Sequence, residues 1–183
     1  MIIIYAHPSR EGHCGAILNE ITNALKQKGV KGEVWDLYKM NFDPVLHELA
    51  GEPGPEIKKL QEKIVSETQF IFIYPVWWNN MPAILKGFID RVFGMDVAYK
   101  FEGSKGVGLL KGQAAIFTTS GAPRLVMKWL EGDRALKLVC KDTLGFCGIK
   151  AKGFSLGNAA TLDDKKKEEI KQLVAKGLTW LQV

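Results

Sequence analysis

The stretch from residue 69 to residue 82, Q-F-I-F-I-Y-P-V-W-W-N-N-M-P, joins a run of apolar residues to a loop of unusual composition. Residues 69–74 do not alternate between apolar and polar side chains, which is typical of a strand buried on both faces of a parallel sheet. Pro82 is a favourable residue for the first turn of a helix. The stretch therefore predicts a strand, a loop and a helix in immediate succession, the building unit of an α/β fold.

The same unit recurs along the chain. Strands are predicted at residues 1–6, 32–37, 69–74, 114–118 and 152–156. Helices are predicted, from apolar residues at helical spacing, in a segment that ends at Gly29 and over 56–67, 82–92, 125–139 and 163–181. Five strands alternating with five helices predict a doubly wound α/β fold, with a parallel five-stranded sheet in the flavodoxin-like order 2-1-3-4-5 and helices on both faces. Because no linker divides the sequence, we expect residues 1–183 to form a single domain.

The bulk composition excludes several classes of protein. The chain has 46% hydrophobic and 25% charged residues, a balance typical of globular domains. No apolar run approaches the ~20 residues that span a bilayer. The apolar residues 1–6 follow no basic region and are too short for the core of a signal peptide. We therefore expect a cytoplasmic protein that does not insert into a membrane.

The charge pattern and the cysteine spacing argue against three further kinds of protein. The net charge is +5, but the lysines are interspersed with acidic residues, which is typical of a solvated surface and not of a nucleic-acid interface. Cys14, Cys140 and Cys147 form no CxxC pair, and the three histidines form no HxxxH pair. Neither a disulfide framework nor a bound metal is expected.

The first unusual loop follows the first predicted strand and runs from His7 to Gly15. Its small and polar residues lead into a helix, whose free backbone N–H groups and dipole favour a phosphate group. His7, Ser9, Arg10 and His13 are expected to add side-chain donors. An ordinary helix-start loop is the simpler interpretation of this segment taken alone.

The second unusual loop follows the third strand and contains the adjacent residues Trp77 and Trp78. Two neighbouring tryptophans in a loop cannot both face one core. A planar aromatic ligand such as an isoalloxazine ring accounts for them, because large rigid side chains wall such a ring. Packing in a dimer interface is the alternative, and the two interpretations are compatible.

The third loop, residues 118–123, is rich in small and hydroxyl side chains that suit a flavin or a close-approaching nicotinamide. Ligands bind outside the carboxyl ends of the strands in open parallel sheets, so three such loops at one edge predict one site. The sequence contains no GxxxxGK[ST] motif. Its glycine cluster at 103–112 precedes a strand, which is the wrong end of the sheet for a dinucleotide fingerprint.

Five motifs together resemble the flavodoxin-like NAD(P)H dehydrogenase (quinone) family. They are AHP at 6–8, FDPVL at 42–46, the long motif YPVWWNNMPAILKGFIDRVF at 74–93, GLLKG at 108–112 and TTSG at 118–121. The resemblance covers about residues 1–121 in the right order, and its central motif is long enough to be specific.

The resemblance implies a homodimer with a flavin near its interface, and two-electron reduction of a quinone-like acceptor by NAD(P)H. It implies cofactor-binding roles for His7, Gly12, His13, Cys14 and Gly15 in the first loop, Val76, Trp77, Trp78 and Asn79 in the second, and Thr118, Thr119, Ser120 and Gly121 in the third. Ser9 and Pro75, which stand in the first and second loops, are also expected to bind the cofactor. FMN is preferred to FAD, because the chain is short and shows no adenosine-binding extension.

The residues after the third loop bear on the mechanism. Residues 124–127 replace a segment in which relatives carry an active-site tyrosine, so we assign no catalytic acid. Arg124 is a cation that would stabilise negative charge on a reduced flavin.

The alternatives to a quinone reductase are a flavodoxin-type electron carrier and a regulatory flavoprotein subunit of a potassium-efflux antiporter, which would bind a membrane protein peripherally. The long segment 38–55 contains three prolines and is expected to cross the surface.

Overall fold

A computed structural model describes residues 1–47 and 52–183. Its strands are β1 Ile2–Tyr5, β2 Glu33–Asp36, β3 Gln69–Pro75, β4 Tyr99–Glu102, β5 Lys105–Gly108, β6 Gln113–Thr119 and β7 Lys150–Leu156. Its helices are α1 His13–Gln27, α2 Pro55–Ser66, α3 Ala83–Val92, α4 Arg124–Trp129, α5 Arg134–Lys137 and α6 Asp164–Trp180. A π-helical segment, Leu138–Gly145, follows α5 directly.

Five of these strands form one sheet in the order β2-β1-β3-β6-β7, and every neighbouring pair is parallel. These are the five strands that the sequence predicts, and the predicted order 2-1-3-4-5 is confirmed. The chain is thus a flavodoxin-like α/β fold. The order reverses between β1 and β3, which places a crevice at the carboxyl ends of those strands.

Side chains of the central strands alternate between two buried layers, because successive residues of a strand face opposite sides. On one face Ile4 and Phe72 pack in a cluster with residues of α2 and α3. On the other face Ile3 and Phe117 pack with residues of α1 and α6. Burying one such side chain stabilises the fold by about 1.5–3 kcal/mol, so both faces need a helical cover.

The structure differs from the predicted secondary structure in two places, a hairpin that was not predicted and a helix that was predicted wrongly. β4 and β5 pair as a separate antiparallel hairpin, which the glycine-rich composition of this region conceals. The helix predicted over 125–139 is broken, because Gly132 and Asp133 have φ angles of 65° and 55° between α4 and α5. Positive φ is incompatible with a continuing right-handed helix.

The segment after β2 docks on α3. The buried ring of Phe42 lies 5.4 Å from that of Phe88, and the Arg91 guanidinium lies 5.5 Å from the Phe42 ring centre. Arg91 also approaches the Asp43 carboxylate at 3.3 Å. The FDPVL motif and the charged end of the long motif therefore meet in space. Residues 48–51 of the predicted surface segment 38–55 lie outside the described residues.

The described part of the chain carries neither a candidate membrane span nor a candidate metal cluster. None of its helices combines the length and apolar character needed to cross a membrane. Residues 1–47 and 52–183 also contain no group of three or more histidine, cysteine and carboxylate side chains arranged to hold a metal ion.

Candidate functional site

The loops that follow β1, β3 and β6 meet in one open cleft of about 320 Å³ at the carboxyl edge of the sheet. The first loop lines it with His7, Glu11, Gly12, His13 and Cys14, the second with Pro75, Val76 and Trp77, the third with Thr119, Ser120 and Gly121, and the segment after β7 with Ala159. Its volume lies at the lower end of the range of ligand pockets. The structure thus brings most of the predicted residues together, while Ser9, Gly15, Trp78, Asn79 and Thr118 lie outside the lining.

The first loop is held by hydrogen bonds around Ser9. Its carbonyl oxygen accepts from the Tyr5 hydroxyl at 2.7 Å and lies 2.6 Å from His7 Nδ1. The Ser9 hydroxyl oxygen accepts from the backbone N–H of Glu11 at 3.0 Å. Ser9 therefore shapes the loop from outside the cleft, and the Ser9 contacts of His7 involve Nδ1, not Nε2.

The first turn of α1 is built to approach a ligand with its backbone. Gly12 precedes the helix with a φ of 83° and ψ of −163°, a conformation nearly restricted to glycine. A Cβ on Gly15 would stand 1.6 Å from the carbonyl oxygen of Arg10. The first turn contains no acidic residue, so its dipole and unpaired N–H groups favour an anion.

Two predicted donors of the first loop have other partners. Arg10 Nε donates at 2.8 Å to Oδ2 of Asp36, the last residue of the neighbouring strand β2, and Arg10 does not line the cleft. The prediction that Arg10 adds a phosphate donor is therefore not supported, because the buried carboxylate of Asp36 directs it elsewhere. His13 lines the cleft, and its Nε2 lies 3.2 Å from the carbonyl oxygen of Thr161.

The second loop contains a tight turn over residues 77–80, which we call the tryptophan turn. Two backbone hydrogen bonds of 3.0 Å, one in each direction between Trp77 and Asn80, close it. Trp78 and Asn79 both have positive φ, 51° and 55°, the pattern of a type I′ turn. The Trp77 side chain, 42% exposed, lines the cleft, and that of Trp78 is fully exposed.

The third loop is tied to both of the others. The backbone N–H of Val76 donates to the Thr119 carbonyl oxygen at 2.8 Å, and the Thr119 hydroxyl lies 3.3 Å from the Cys14 sulfur. Burial raises the pKa of the Cys14 thiol to about 11, so it stays protonated at neutral pH. The Thr118 hydroxyl instead pairs with Ser155 at 2.7 Å. Thr118 is therefore held toward β7.

Arg124 does not lie in the cleft. Its guanidinium makes two hydrogen bonds of 2.7 Å to the Asp133 carboxylate and lines a different cavity, beside the end of β7 and α6. The prediction that Arg124 stabilises charge on a bound flavin is therefore not supported. The bidentate carboxylate pair satisfies the guanidinium within the protein.

Two lining residues were missed from the sequence. Glu11 is an exposed residue of the first loop, and only its position between predicted residues marks it. Ala159 follows β7, and its N–H donates to the Ser120 carbonyl oxygen at 2.9 Å. The carboxyl end of the fifth predicted strand was the signal for Ala159, because that strand neighbours the fourth in the predicted order.

Comparison with known proteins shows what the chain is similar to. A family model described as the flavodoxin-like fold matches residues 1–181. An uncharacterized NAD(P)H oxidoreductase from Haemophilus influenzae is 37% identical over 186 residues, covering 95% of this chain and 91% of that protein. The structure of an NAD(P)H:quinone oxidoreductase from Methanothermobacter marburgensis has a TM-score of 0.84 at 26% identity, covering 98% of this chain and 95% of that one. An FMN-dependent NADH-azoreductase from Bacillus anthracis, whose structure was solved with FMN, shares the fold at a TM-score of 0.75 and 17% identity. The match covers 96% of this chain and 97% of that one.

Proposed function

Because the chain belongs to the flavodoxin-like NAD(P)H dehydrogenase (quinone) family and is an oxidoreductase, we propose that it transfers hydride equivalents from NAD(P)H, through bound FMN, to a quinone-like acceptor. The single observation that carries the proposal is the cleft in which the ends of β1, β3 and β6 converge.

The cleft suits a phosphate group at one end and a planar ring at the other. The N-terminus of α1 offers backbone N–H groups without an acidic side chain in its first turn, and Gly15 leaves no Cβ to displace the Arg10 carbonyl. Trp77 supplies a large aromatic surface, and the His7 ring lies 6.2 Å from the indole. The N–H groups of α1 suit a flavin phosphate, and the aromatic surface of Trp77 suits an isoalloxazine ring.

Each loop then has a separate task. The backbone of residues 12–15 would hold the phosphate, residues 75–77 would contact the ring, and residues 119–121 would form the opposite wall. A bound flavin would supply the hydride acceptor and donor, and the protein would hold the reactants in line and exclude water. The Cys14 thiol, protonated at neutral pH, would contribute a neutral hydrogen-bonding group to this wall.

FMN is favoured over FAD by the size of the site. The cleft of about 320 Å³ suits the ring, ribityl chain and one phosphate better than a dinucleotide. The B. anthracis structure with the same fold was solved with FMN. Heat release of the cofactor followed by mass spectrometry distinguishes the two flavins.

We also propose a homodimer, because α4 lacks a buried face. None of the residues of Arg124–Trp129 is buried, although Leu125 and Trp129 are large and apolar, and Leu130 follows them. We call these three residues the α4 patch. A second copy that covers the patch would remove the largest apolar side chains of this segment from water. We place the protein in the cytoplasm, where its three free cysteines would remain reduced.

The test is the visible spectrum of the purified protein, followed by turnover. We expect flavin absorption near ~375 and ~450 nm and rapid NAD(P)H oxidation when menadione is supplied. A flavodoxin-type carrier would be yellow without turning over, and a regulatory subunit would be recovered with a membrane protein. A colourless protein that does not bind added FMN or FAD would refute the proposal.

A further inference from the structure

One polar contact joins the tryptophan turn to the α4–α5 connection. Asn79 Nδ2 donates to Glu131 Oε2 at 2.9 Å. The orientation of the amide follows from the carboxylate, which only accepts. We propose that this hydrogen bond is a latch that fixes the tryptophan turn at the mouth of the cleft, and that Glu131 is a positioning residue for acceptor binding. The proposal rests on the proposed function for its consequence in catalysis.

The turn needs such a latch because its local conformation is unfavourable. Residue 78 has a φ of 51°, a conformation that favours glycine. It is a tryptophan, whose bulky side chain crowds its own backbone there. The Asn79 Oδ1 atom is buried and has no hydrogen-bond partner within residues 1–47 and 52–183. Both features oppose the observed turn, and a hydrogen bond to a charged acceptor is among the contacts strong enough to offset them.

The other side of the latch is also held by polar contacts. α4 contributes no buried residue to the core. The connection after it is held by backbone hydrogen bonds from Glu131 and Asp133 back to α4, by the Arg124–Asp133 pair and by the Asn79–Glu131 bond. The backbone of Trp77 closes the turn, and its side chain lines the cleft. Loss of the latch would therefore loosen one wall of the cleft without removing a group that touches the ligand.

Three variants separate the latch from a purely local role. Glu131→Ala removes the acceptor, and Glu131→Gln retains an acceptor oxygen for Asn79. Asn79→Gly removes the donor but favours the positive φ of the turn, so it preserves the turn without the latch. Glu168→Ala is the matched control, because it removes an exposed carboxylate from α6, outside the cleft.

We expect Glu131→Ala and Asn79→Gly to raise the KM for menadione about tenfold while kcat changes less than about twofold. Glu131→Gln and Glu168→Ala should keep the KM within about twofold of the wild type. A fall in kcat as large as the rise in KM would contradict the positioning role. So would a KM in Glu131→Gln that is raised as much as in Glu131→Ala. A normal KM in Asn79→Gly would show that the turn alone suffices and would overturn the latch.

Hydrogen exchange of the cofactor-free protein gives a second, independent result. In Glu131→Ala the amides of residues 76–81 should exchange about tenfold faster than in the wild type, with Glu131→Gln close to the wild type. Unchanged exchange in Glu131→Ala would overturn the latch even in an active flavoenzyme. Faster exchange in a protein that binds no flavin would instead refute only the proposed function.

Discussion

The carbonyl oxygen of Arg10 occupies the space in which a Cβ of residue 15 would stand, 1.6 Å from that position. The first loop therefore crosses directly over the first turn of α1. Gly15 is buried, and the loop that crosses it carries His7 and Glu11 into the cleft. The shape of the cleft at this end depends on the absence of one methyl group.

Gly15→Ala is expected to displace the first loop, because the added methyl overlaps the Arg10 carbonyl. We expect the protein to lose about 1–3 kcal/mol of unfolding free energy and most of its flavin. Urea denaturation and the ratio of flavin to protein absorbance measure the two effects. Gly54→Ala is the control, since a Cβ there meets nothing within 4 Å. Full flavin occupancy in Gly15→Ala would contradict the role of this crossing.

The strands were predictable because their signal is local, and their order was predictable because the flavodoxin-like order is common among doubly wound sheets. Apolar runs such as residues 69–74 mark strands buried on both faces, and parallel strands need right-handed crossovers. The three cleft loops follow from the same logic, as each begins where a predicted strand ends. The sequence therefore predicts which loops converge before any contact is known.

Partner choice was not predictable in the same way. Arg10 lies in the first cleft loop and Arg124 directly follows the third, yet each is bound by an aspartate outside these loops, Asp36 or Asp133. A charged side chain reaches several positions from one backbone location, so its partner depends on tertiary contacts that local patterns do not encode. The break between α4 and α5 also depends on positive φ at Asp133, a residue that tolerates both conformations.

Arg124→Gln tests whether this arginine is structural. Because the Arg124–Asp133 pair is bidentate and partly buried, we expect a loss of about 1 kcal/mol of unfolding free energy, with FMN affinity within about twofold of the wild type. Lys167→Gln breaks an exposed pair with Asp164 on α6 and should leave the urea midpoint unchanged. A large drop in FMN affinity for Arg124→Gln would restore the role that the sequence suggested.

Trp77→Ala is expected to weaken FMN binding while leaving the fold intact. The indole lines the cleft but is 42% exposed, so its removal leaves no buried cavity. An aromatic contact contributes about 1 kcal/mol, which corresponds to roughly fivefold weaker binding. Fluorescence titration of the cofactor-free protein with FMN measures it. Trp129→Ala removes an exposed indole outside the cleft and should bind FMN like the wild type.

The Cys14 thiol predicts a loss of stability at alkaline pH. Its pKa rises from 9.0 to about 11 on folding because the thiol is buried, so the unfolded chain releases this proton first. The stabilising effect is complete below pH 9 and is lost as the pH rises toward about 11. It amounts to about 3 kcal/mol. Cys14→Ser keeps a hydroxyl near Thr119 without this titration, so the stability difference between wild type and variant should shift by most of this amount between pH 8 and 11 in urea denaturation.

Leu130→Glu is expected to dissociate the proposed dimer without unfolding the protomer. The side chain of Leu130 is 77% exposed in one copy and belongs to the α4 patch, so glutamate there meets water in the monomer and an apolar surface in the dimer. Burying an unpaired carboxylate opposes association strongly, and we expect the dissociation constant to rise at least ~100-fold. Light scattering after size exclusion should show half the wild-type mass at micromolar concentration, with an unchanged far-UV circular dichroism spectrum. The melting temperature should fall, because the folded protomer loses the stabilisation that association gives it. Val65→Glu introduces the same charge on α2 at a side chain that is 59% exposed, outside the α4 patch, and should remain dimeric. A dimeric Leu130→Glu would place the interface elsewhere, and a monomeric wild type would show that water covers the α4 patch.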